Sequence, residues 1–382
     1  MHAQELDPAM DRRQFRQMFA AWPAHGLVAL CRSGFESALA AELLEKGSES
    51  VPTGLYPVAR PDSGHVLLRS ADGQAHAGLA DLLGKPLVFA RRVYLECATH
   101  SELPPRDRLT PLLSLLPETL QFNGLELAHP DTNTGKGVGR FLRGFRKALE
   151  PALAQQGPHI DAATGPRLSL FFPDSGQVHA GWCLATDVEW PMGIPRLRLP
   201  RDAPSRSLLK LEEGLLSLLT ERERAACLQP GMRAVDLGAA PGGWSHYLLR
   251  RGLEVTGVDH GGMVATVAED PGFRHVSADG FTWRPERPVD WVVCDIVDKP
   301  ARVAEHMALW LASGWSRHAL FNLKLPMKRR HETVRDLLAR FESRMGATGP
   351  RRSLRCRQLY HDREEVTVAV IDREQMGGDF SE

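Results

Sequence analysis

Four charged side chains occupy positions at which an enzyme built of alternating strands and helices could carry its chemistry. In chain order they are Lys210, Asp295, Lys324 and Glu365. Lys324 follows an apolar strand, beside an expected carboxylate, and is the candidate general base. Lys210 and Glu365 could complete a constellation with Asp295 and Lys324, while each in isolation would be an ordinary surface charge. A lysine with a lowered pKa at such a site could accept a proton.

A glycine-rich turn supplies a second motif, in the segment DLGAAPGGW at 236–244. It lies between a predicted strand and a predicted helix, and open α/β sheets bind ligands beyond the carboxyl ends of their strands. Gly238, Gly242 and Gly243 let a ligand approach the backbone where a side chain would clash. Pro241 removes an N–H donor that a pyrophosphate would use. The turn therefore favours the methionine part of S-adenosylmethionine over a dinucleotide.

Three aspartates follow successive predicted strands after this turn. Asp259 ends the next strand, where a carboxylate can accept hydrogen bonds from both ribose hydroxyls of a nucleoside. Asp279 ends the third strand, where it can bond the edge of an adenine. Asp295 ends the fourth strand, against the reactive end of the cofactor. Their order predicts a nucleoside cofactor along this edge of the sheet.

The elements that must position these residues follow a linker with four prolines at 191–205. A single helix is expected at 207–223, after which strands alternate with helices as in a doubly wound, mostly parallel sheet. The segments SLRCRQLYH and EEVTVAVID, joined by a turn at 362–363, predict an antiparallel hairpin at the sheet edge. The fold class is therefore α/β, a Rossmann-like sheet of the class I methyltransferase type with a terminal antiparallel hairpin.

The region at 25–190 predicts a separate α+β arrangement of short elements. We expect a helix at 34–46 closed by Gly47, a strand at 87–97 and a helix at 140–156. The segment RLSLFFPDSGQVHAGWC alternates about a Pro-Asp-Ser-Gly turn, which indicates a hairpin. The residues before this region show weak periodicity and are expected to form an extension.

Composition excludes several classes of protein. The chain has 382 residues with 47 basic and 47 acidic side chains, and its 43% hydrophobic content is that of a globular protein. Six scattered cysteines argue against structural zinc and disulfides, so no metal is expected. No apolar run is long enough to span a membrane and no signal peptide is recognisable. We expect a monomeric protein of the cytoplasm.

The zero net charge hides two basic clusters. Residues 324–363 contain twelve Lys or Arg against four Asp or Glu, and residues 136–147 contain five against none. Such clusters are typical of surfaces that bind a polyanion. We predict that RNA phosphates are contacted by Lys136, Arg140, Arg143, Lys328, Arg329 and Arg330.

The order of the four charged residues, together with AAPGGW, resembles the Lys-Asp-Lys-Glu tetrad of FtsJ-type ribose 2′-O-methyltransferases. The segments PSRSLLKLEE, VDLGAAPGGW, FNLKLPMK and RQLYHDREEVTV are more similar still to a bacterial family of this type that methylates a cytidine in 23S ribosomal RNA. The resemblance spans residues 25–373. It implies that Ser207 and the stretch from Ala240 to Gly243 contact S-adenosylmethionine, with backbone contact at Ala240.

The resemblance also implies a domain organisation. Residues 1–24 would be an extension, 25–95 a ferredoxin-like segment and 96–190 a THUMP RNA-binding domain. After the linker at 191–205, the methyltransferase domain would occupy 206–382 and transfer a methyl group to the ribose 2′-hydroxyl of a cytidine in 23S ribosomal RNA.

Three other functions remain open on the residues alone. An RNA-binding protein with an inactive methyltransferase-like domain is disfavoured by the intact charged set. Base methylation usually needs an Asn/Asp-Pro-Pro-aromatic loop, which DIVDKP lacks, or a nucleophilic cysteine, and Cys294 should point away from the Asp295 face. A nicotinamide oxidoreductase is disfavoured by the Pro-Gly-Gly turn and the terminal hairpin.

Overall fold

A computed structural model describes residues 12–50, 54–73, 77–184, 190–345 and 352–373. The chain forms two compact units, Met1–Pro195 and Arg196–Glu382, so the division falls inside the expected linker. Among the described residues, no helix is both long and apolar enough to cross a membrane.

The first unit is built on one seven-stranded sheet with the strand order β2-β3-β1-β4-β7-β6-β5. Its strands are β1 Gly26–Leu30, β2 Leu55–Ala59, β3 His65–Ser70, β4 Arg92–His100, β5 Leu125–Ala128, β6 Arg167–Asp174 and β7 Gln177–Cys183. Its helices are α1 Arg12–Ala21, α2 Glu36–Ser48, α3 Leu109–Leu113 and α4 Gly135–Gln156. The predicted hairpin is β6–β7, and α1 occupies part of the expected extension, the rest of which before residue 12 lies outside the described residues.

The expected boundary between residues 95 and 96 does not separate two sheets. It falls inside β4, which pairs with β1 along one side and with β7 along the other. The two strands approach closely at Gly181, where an added Cβ would lie 1.8 Å from the carbonyl oxygen of Leu95. The predicted ferredoxin-like and THUMP segments therefore share one continuous sheet.

Two local predictions in this unit are wrong, each for a tertiary reason. The strand expected from residue 87 begins only at Arg92, because the N–H groups of Val88 and Phe89 donate to the buried carboxylate of Glu42 instead of a strand. Helix α2 does not end before Gly47. That glycine lies inside the helix, where an added Cβ would approach Leu55 to 2.9 Å.

The second unit confirms the predicted class of sheet. Its strand order is β10-β9-β8-β11-β12-β14-β13, with parallel pairs from β10 to β12 and antiparallel pairs at β12–β14 and β14–β13. The strands are β8 Arg233–Leu237, β9 Glu254–Val258, β10 Phe273–Val276, β11 Val289–Cys294, β12 Ser316–Lys324, β13 Arg352–Arg357 and β14 Glu365–Asp372. The helices are α5 Leu208–Leu218, α6 Glu221–Cys227, α7 Gly243–Arg250, α8 Ala265–Ala268, α9 Pro300–Ala312 and α10 Arg330–Met345.

The single helix expected at 207–223 is in fact two helices, α5 and α6. The side chain of Thr220 accepts a hydrogen bond from the N–H of Glu223, whose carboxylate accepts one from the N–H of Thr220. This reciprocal pair starts a new helix and is encoded by the Thr-x-x-Glu spacing. The break frees α5 to pack against β12, β13 and β14.

The connection in the terminal hairpin is longer than the two-residue turn expected at 362–363. It runs through residues 358–364 between β13 and β14. Glu213 on α5, which is 2% exposed, accepts hydrogen bonds from the N–H groups of Tyr360 and His361 and contacts the His361 ring. A buried carboxylate on the preceding helix thus orders the loop that leads into β14.

The close approach of β4 and β7 generates a stability prediction. Gly181→Ala should lower the free energy of unfolding by about 1–3 kcal/mol, because the new methyl group forces the two backbones apart. Urea unfolding measures the change. Gly176→Ala, in the β6–β7 turn, is the matched control, since its Cβ would meet only the Asp174 carboxylate at 3.4 Å. Equal effects of the two substitutions would contradict the role assigned to Gly181.

Candidate active site

The sheet itself brings the four predicted charged residues to one edge. Strands β11 and β12 run parallel, so Asp295, just beyond β11, and Lys324, at the end of β12, lie at their carboxyl ends. Strand β14 runs the opposite way and contributes its amino end, which places Glu365 directly opposite Lys324 in the register. Helix α5 packs over these strands and carries Lys210 to the same edge.

Each lysine contacts both carboxylates. Lys210 Nζ lies 2.6 Å from Glu365 Oε1 and 3.3 Å from Asp295 Oδ2. Lys324 Nζ lies 3.1 Å from Asp295 Oδ1 and 3.4 Å from Glu365 Oε1. We call these four residues the tetrad. Two ammonium groups alternate with two carboxylates, so the charges compensate one another within a small volume.

The two lysines are not equivalent. Burial opposes the charged form of Lys210, yet its pKa is raised overall because Asp295 and Glu365 stabilise the ammonium group. Burial likewise opposes the charge of Glu365, but its hydrogen bond to Lys210 and the charges of both lysines lower its pKa. The Lys210 side chain is 15% exposed and that of Lys324 is 22% exposed. Lys210 is therefore the fixed cation, and Lys324 is the more accessible amine.

Asn322 is a site residue that sequence reasoning missed. It is fully buried on β12, and its Nδ2 donates to Asp295 Oδ1 over 2.8 Å. Residues two apart on a strand face the same side, so Asn322 shares the face of Lys324. The available signal was a polar amide in the apolar run ALFNLK, two residues before the predicted base.

The glycine-rich turn follows β8 at the same edge of the sheet, and its glycines are required by the packing. Gly238 has a φ of 78°, and an added Cβ would lie 2.6 Å from the Ile296 side chain. Gly242 has a φ of 111°, and an added Cβ would lie 3.0 Å from the Val267 side chain. An added Cβ at Gly243 would lie 2.6 Å from the hydroxyl of Ser207. The protein's own side chains therefore fill the space beside these glycines, and the turn packs against the segment that holds Ser207.

Asp259 stabilises this turn from the end of β9. Its Oδ2 accepts from the N–H of Ala240 over 3.0 Å, and its Oδ1 accepts from the N–H of Gly261 over 2.7 Å. Each carboxylate oxygen can accept a further bond, so the group can also serve a ribose. Asp279 does not end its strand. It is exposed in the loop three residues after β10, and its Oδ1 accepts from the N–H of Phe281 over 2.9 Å.

Asp236 is a carboxylate that the sequence analysis did not single out as a site residue. It lies on β8 beneath the turn, and Ser245 on α7 donates to its Oδ2 over 2.8 Å. Burial raises its pKa to about 7, and the charges of Asp295 and Asp259 act in the same direction. Its signal was present as the first residue of DLGAAPGGW. The bond to Ser245 ties the strand to the helix on either side of the turn.

Cys294 does not fit the role of a nucleophile. It is 1% exposed, and burial raises the pKa of its thiol to about 12. A thiolate is the nucleophilic form, and its population at neutral pH is therefore very small. This geometry disfavours methylation of a pyrimidine carbon through a cysteine adduct.

The predicted phosphate-binding residues divide by exposure. Lys136, Arg140 and Arg143 are exposed on α4, and Lys328 and Arg329 are exposed just before α10. Arg330 is different, since it is 6% exposed, forms an ion pair with Glu364 and donates to the carbonyl oxygen of Pro326. We correct its role to that of a residue that ties α10 to the β13–β14 loop.

In the part of the chain that the structure describes, no group of three or more His, Cys, Asp or Glu side chains could hold a metal ion.

The family model described as FtsJ-like methyltransferase matches residues 203–323, which span the glycine-rich turn, Asp295 and Asn322. This part of the chain is therefore an FtsJ-like methyltransferase domain. A second model, described as the RlmM ferredoxin-like domain, matches residues 24–94.

Two curated relatives extend the similarity over most of the chain. Ribosomal RNA large subunit methyltransferase M of Alkalilimnicola ehrlichii is 50% identical over 345 residues, covering 88% of this chain and 92% of that protein. The protein of the same name from Stenotrophomonas maltophilia is 45% identical over 348 residues, covering 90% and 96%. The chain belongs to the ribosomal RNA large subunit methyltransferase M family, RlmM, which confirms the resemblance in the sequence.

The ion pairs of Glu365 generate a prediction on pH and stability. A carboxylate with a lowered pKa contributes stability that is complete above its ordinary value of 4.5 and is lost as the pH falls through the lowered value. Glu365→Gln should reduce the free energy of unfolding at neutral pH by about 1–3 kcal/mol, because both lysines lose a partner. Between neutral pH and about pH 3 it should also flatten the loss of stability, and the flattening should appear only below about pH 5, where Glu365 begins to take up a proton in the unfolded chain.

Urea unfolding over this pH range measures both effects. Glu332→Gln is the control, since the Glu332 side chain is 42% exposed and forms an ion pair with the exposed Arg329. An unchanged slope in Glu365→Gln would show that the ion pairs do not stabilise the folded state.

Proposed function

We propose that this chain transfers a methyl group from S-adenosylmethionine to the ribose 2′-hydroxyl of a cytidine in 23S ribosomal RNA. The observation that carries the proposal is the tetrad, in which two lysine amines converge on Asp295 at the edge of the sheet that also holds the glycine-rich turn. Such a site removes a proton and supplies positive charge, which is what a poorly nucleophilic ribose hydroxyl requires.

The residues at this edge fit S-adenosylmethionine. Asp259 lies at the end of β9 beside the glycine-rich turn, and each of its carboxylate oxygens can accept a further hydrogen bond from a ribose hydroxyl. When bound, the cofactor supplies an electrophilic methyl group on a sulfonium. The residues that would hold it are Ser207, Gly238, Ala240, Pro241, Gly242, Gly243, Asp259, Asp279 and Asp295.

The members of the tetrad have different roles in activating the hydroxyl. Lys210 stays cationic because Asp295 and Glu365 stabilise its charge, so it donates to the hydroxyl oxygen and stabilises the negative charge that develops there. Lys324, unprotonated in the reacting form, would accept the hydroxyl proton on Nζ, which prepares the oxygen to receive the methyl group that the cofactor would supply as its carbon–sulfur bond breaks. Asp295 and Glu365 hold both amines in place.

The family supports the choice of substrate. The relatives are named ribosomal RNA large subunit methyltransferases, and a ribosomal RNA substrate agrees with the exposed cations on α4 and next to Lys324. We include in the proposal that residues 96–190 form a THUMP RNA-binding domain, that the chain acts as a monomer, and that it works in the cytoplasm. The target cytidine itself is inferred from the resemblance of the motifs.

Removal of the proposed base is the direct test. Lys324→Ala should lower methyl transfer by about 10²–10⁴-fold, because a positioned general base contributes about that factor. Cofactor affinity, measured by calorimetry, should change little. The readout is mass spectrometry of ribosomal RNA nucleosides, in which 2′-O-methylcytidine should disappear. Lys46→Ala is the control, since Lys46 lies on α2 and belongs to neither basic cluster. Normal 2′-O-methylcytidine in Lys324→Ala, or loss of a base methylation instead, would overturn the proposal.

The basic residues of α4 give a separate test of RNA binding. Arg140→Ala combined with Arg143→Ala should weaken binding of a ribosomal RNA fragment and reduce the slope of log affinity against log salt by about one unit per lost phosphate contact. Filter binding at several salt concentrations measures the slope. Arg146→Ala on the same helix is the control, since Glu150 already compensates its charge at 2.8 Å. A slope unchanged by the double substitution would remove α4 from the RNA-binding surface.

A further inference from the structure

A row of buried polar side chains leads away from the tetrad. Asn322 and Thr367 face each other across the β12–β14 pair, and both are fully buried. The next member is Asp362 in the β13–β14 loop, which is 1% exposed. Thr367 Oγ1 lies 2.8 Å from Asn322 Oδ1 and 3.0 Å from Asp362 Oδ2. With the Asn322 bond to Asp295, the row connects a buried carboxyl group to the centre of the tetrad.

The number of hydrogens available to Thr367 limits the protonation states that this row can have. The Thr367 hydroxyl has one hydrogen and two acceptors within hydrogen-bond distance, the Asn322 carbonyl oxygen and the Asp362 carboxyl group. With an ionised Asp362, one of these two oxygen–oxygen contacts would contain no hydrogen. A buried contact between two acceptors is costly. A second hydrogen must therefore lie in one of the two contacts.

Rotation of the Asn322 amide does not supply it. In that orientation Nδ2 would donate to Thr367, but the amide oxygen would then lie 2.8 Å from Asp295 Oδ1. Both lysines of the tetrad stabilise Asp295 as an anion, so that contact would be repulsive. A proton on Asp362 satisfies every contact. Asp362 then donates to Thr367, Thr367 donates to Asn322, and Asn322 donates to Asp295.

The surroundings of Asp362 favour this neutral form. Burial raises its pKa to about 8, and the negative charges of Glu365 on β14 and Glu213 on α5 act in the same direction. The N–H of Leu359, which donates to Oδ2 over 3.0 Å, and the charge of Lys210 oppose the shift. The other titratable groups of the loop beside Asp362 are Tyr360, His361, Arg363 and Glu364. His361 is bound to Glu213, and Glu364 forms an ion pair with Arg330.

We propose that Asp362 is a positioning residue, held as an uncharged carboxylic acid that fixes the Asp295 carboxylate through Thr367 and Asn322. Fixed in this way, Asp295 presents one oxygen to Lys324 and the other to Lys210. The effect on turnover rests on the proposed methyl transfer, whereas the protonation of Asp362 does not.

The proposal gives the site a dependence on pH. As the pH rises through the titration of Asp362, the carboxyl group ionises and Thr367 turns its hydroxyl hydrogen toward the new charge. The carbonyl oxygen of Asn322 then loses the hydrogen bond from Thr367. As a result, the Asn322 amide no longer holds Asp295 in a single orientation. Methyl transfer should therefore decline on the alkaline side, because the protonated form of Asp362 is the competent one.

Substitutions in the row test this dependence. Asp362→Asn keeps a donor toward Thr367 and cannot ionise, so the alkaline decline of the single-turnover rate should disappear. Thr367→Val should lower the rate roughly tenfold at neutral pH with cofactor affinity unchanged, since one buried hydrogen-bond connection is lost. Thr367→Ser keeps the hydroxyl and should restore the rate. Asp372→Asn, at the other end of β14 and 2% exposed, is the control and should keep the alkaline decline.

Infrared spectroscopy of the full chain provides a readout without turnover. At neutral pH the wild type should show the C=O stretch of a buried protonated carboxyl group that Asp362→Asn lacks and Asp372→Asn retains. Absence of that difference, or an Asp362→Asn pH profile identical to that of the wild type, would overturn the inference. If the band is present but no ribosomal RNA is methylated, the proposed function fails and the protonated Asp362 is supported.

Discussion

The antiparallel register between β12 and β14 is the constraint on which the site depends. It places Glu365 opposite Lys324 and Thr367 opposite Asn322. A shift of one residue would turn Glu365 to the other face of the sheet and separate it from both lysines. A purely parallel sheet could not make this arrangement, because the amino end of an added strand would lie at the far edge. The terminal hairpin is thus part of the catalytic edge and not an addition to a completed sheet.

Charge compensation explains why so polar a cluster can occupy a partly buried position. A lone ammonium or carboxylate group at this depth would lose much of its hydration, whereas each tetrad member has two opposite charges within contact. The asymmetry between the lysines follows from the shortest contact, which joins Lys210 to Glu365. The amine held most tightly as a cation is therefore the one that is least available to accept a proton.

Much of the fold and site could be predicted from the sequence because residues at strand ends are brought together by topology alone. Lys324 and Asp295 needed only the order of the strands. Packing between distant elements has no such local signal. Gly47 lies inside α2 because a larger side chain there would clash with Leu55, which is distant in sequence. Asn322 was overlooked for the same reason. The role of an amide in an apolar strand depends on its hydrogen-bond partners on neighbouring strands, which the sequence does not show. The role of Arg330 was predicted wrongly because a cluster of basic residues does not reveal which member is buried.

Strand β4 has a consequence for how the first half of the chain can change in evolution. Because it belongs to both predicted segments, neither can be exchanged or lost without exposing unpaired N–H and C=O groups along β4 or β7. Open strand edges of this kind pair readily with other chains and promote aggregation. Separation of the ferredoxin-like segment from the region that follows it should therefore destabilise both, whereas changes outside the shared sheet leave these strand pairs intact.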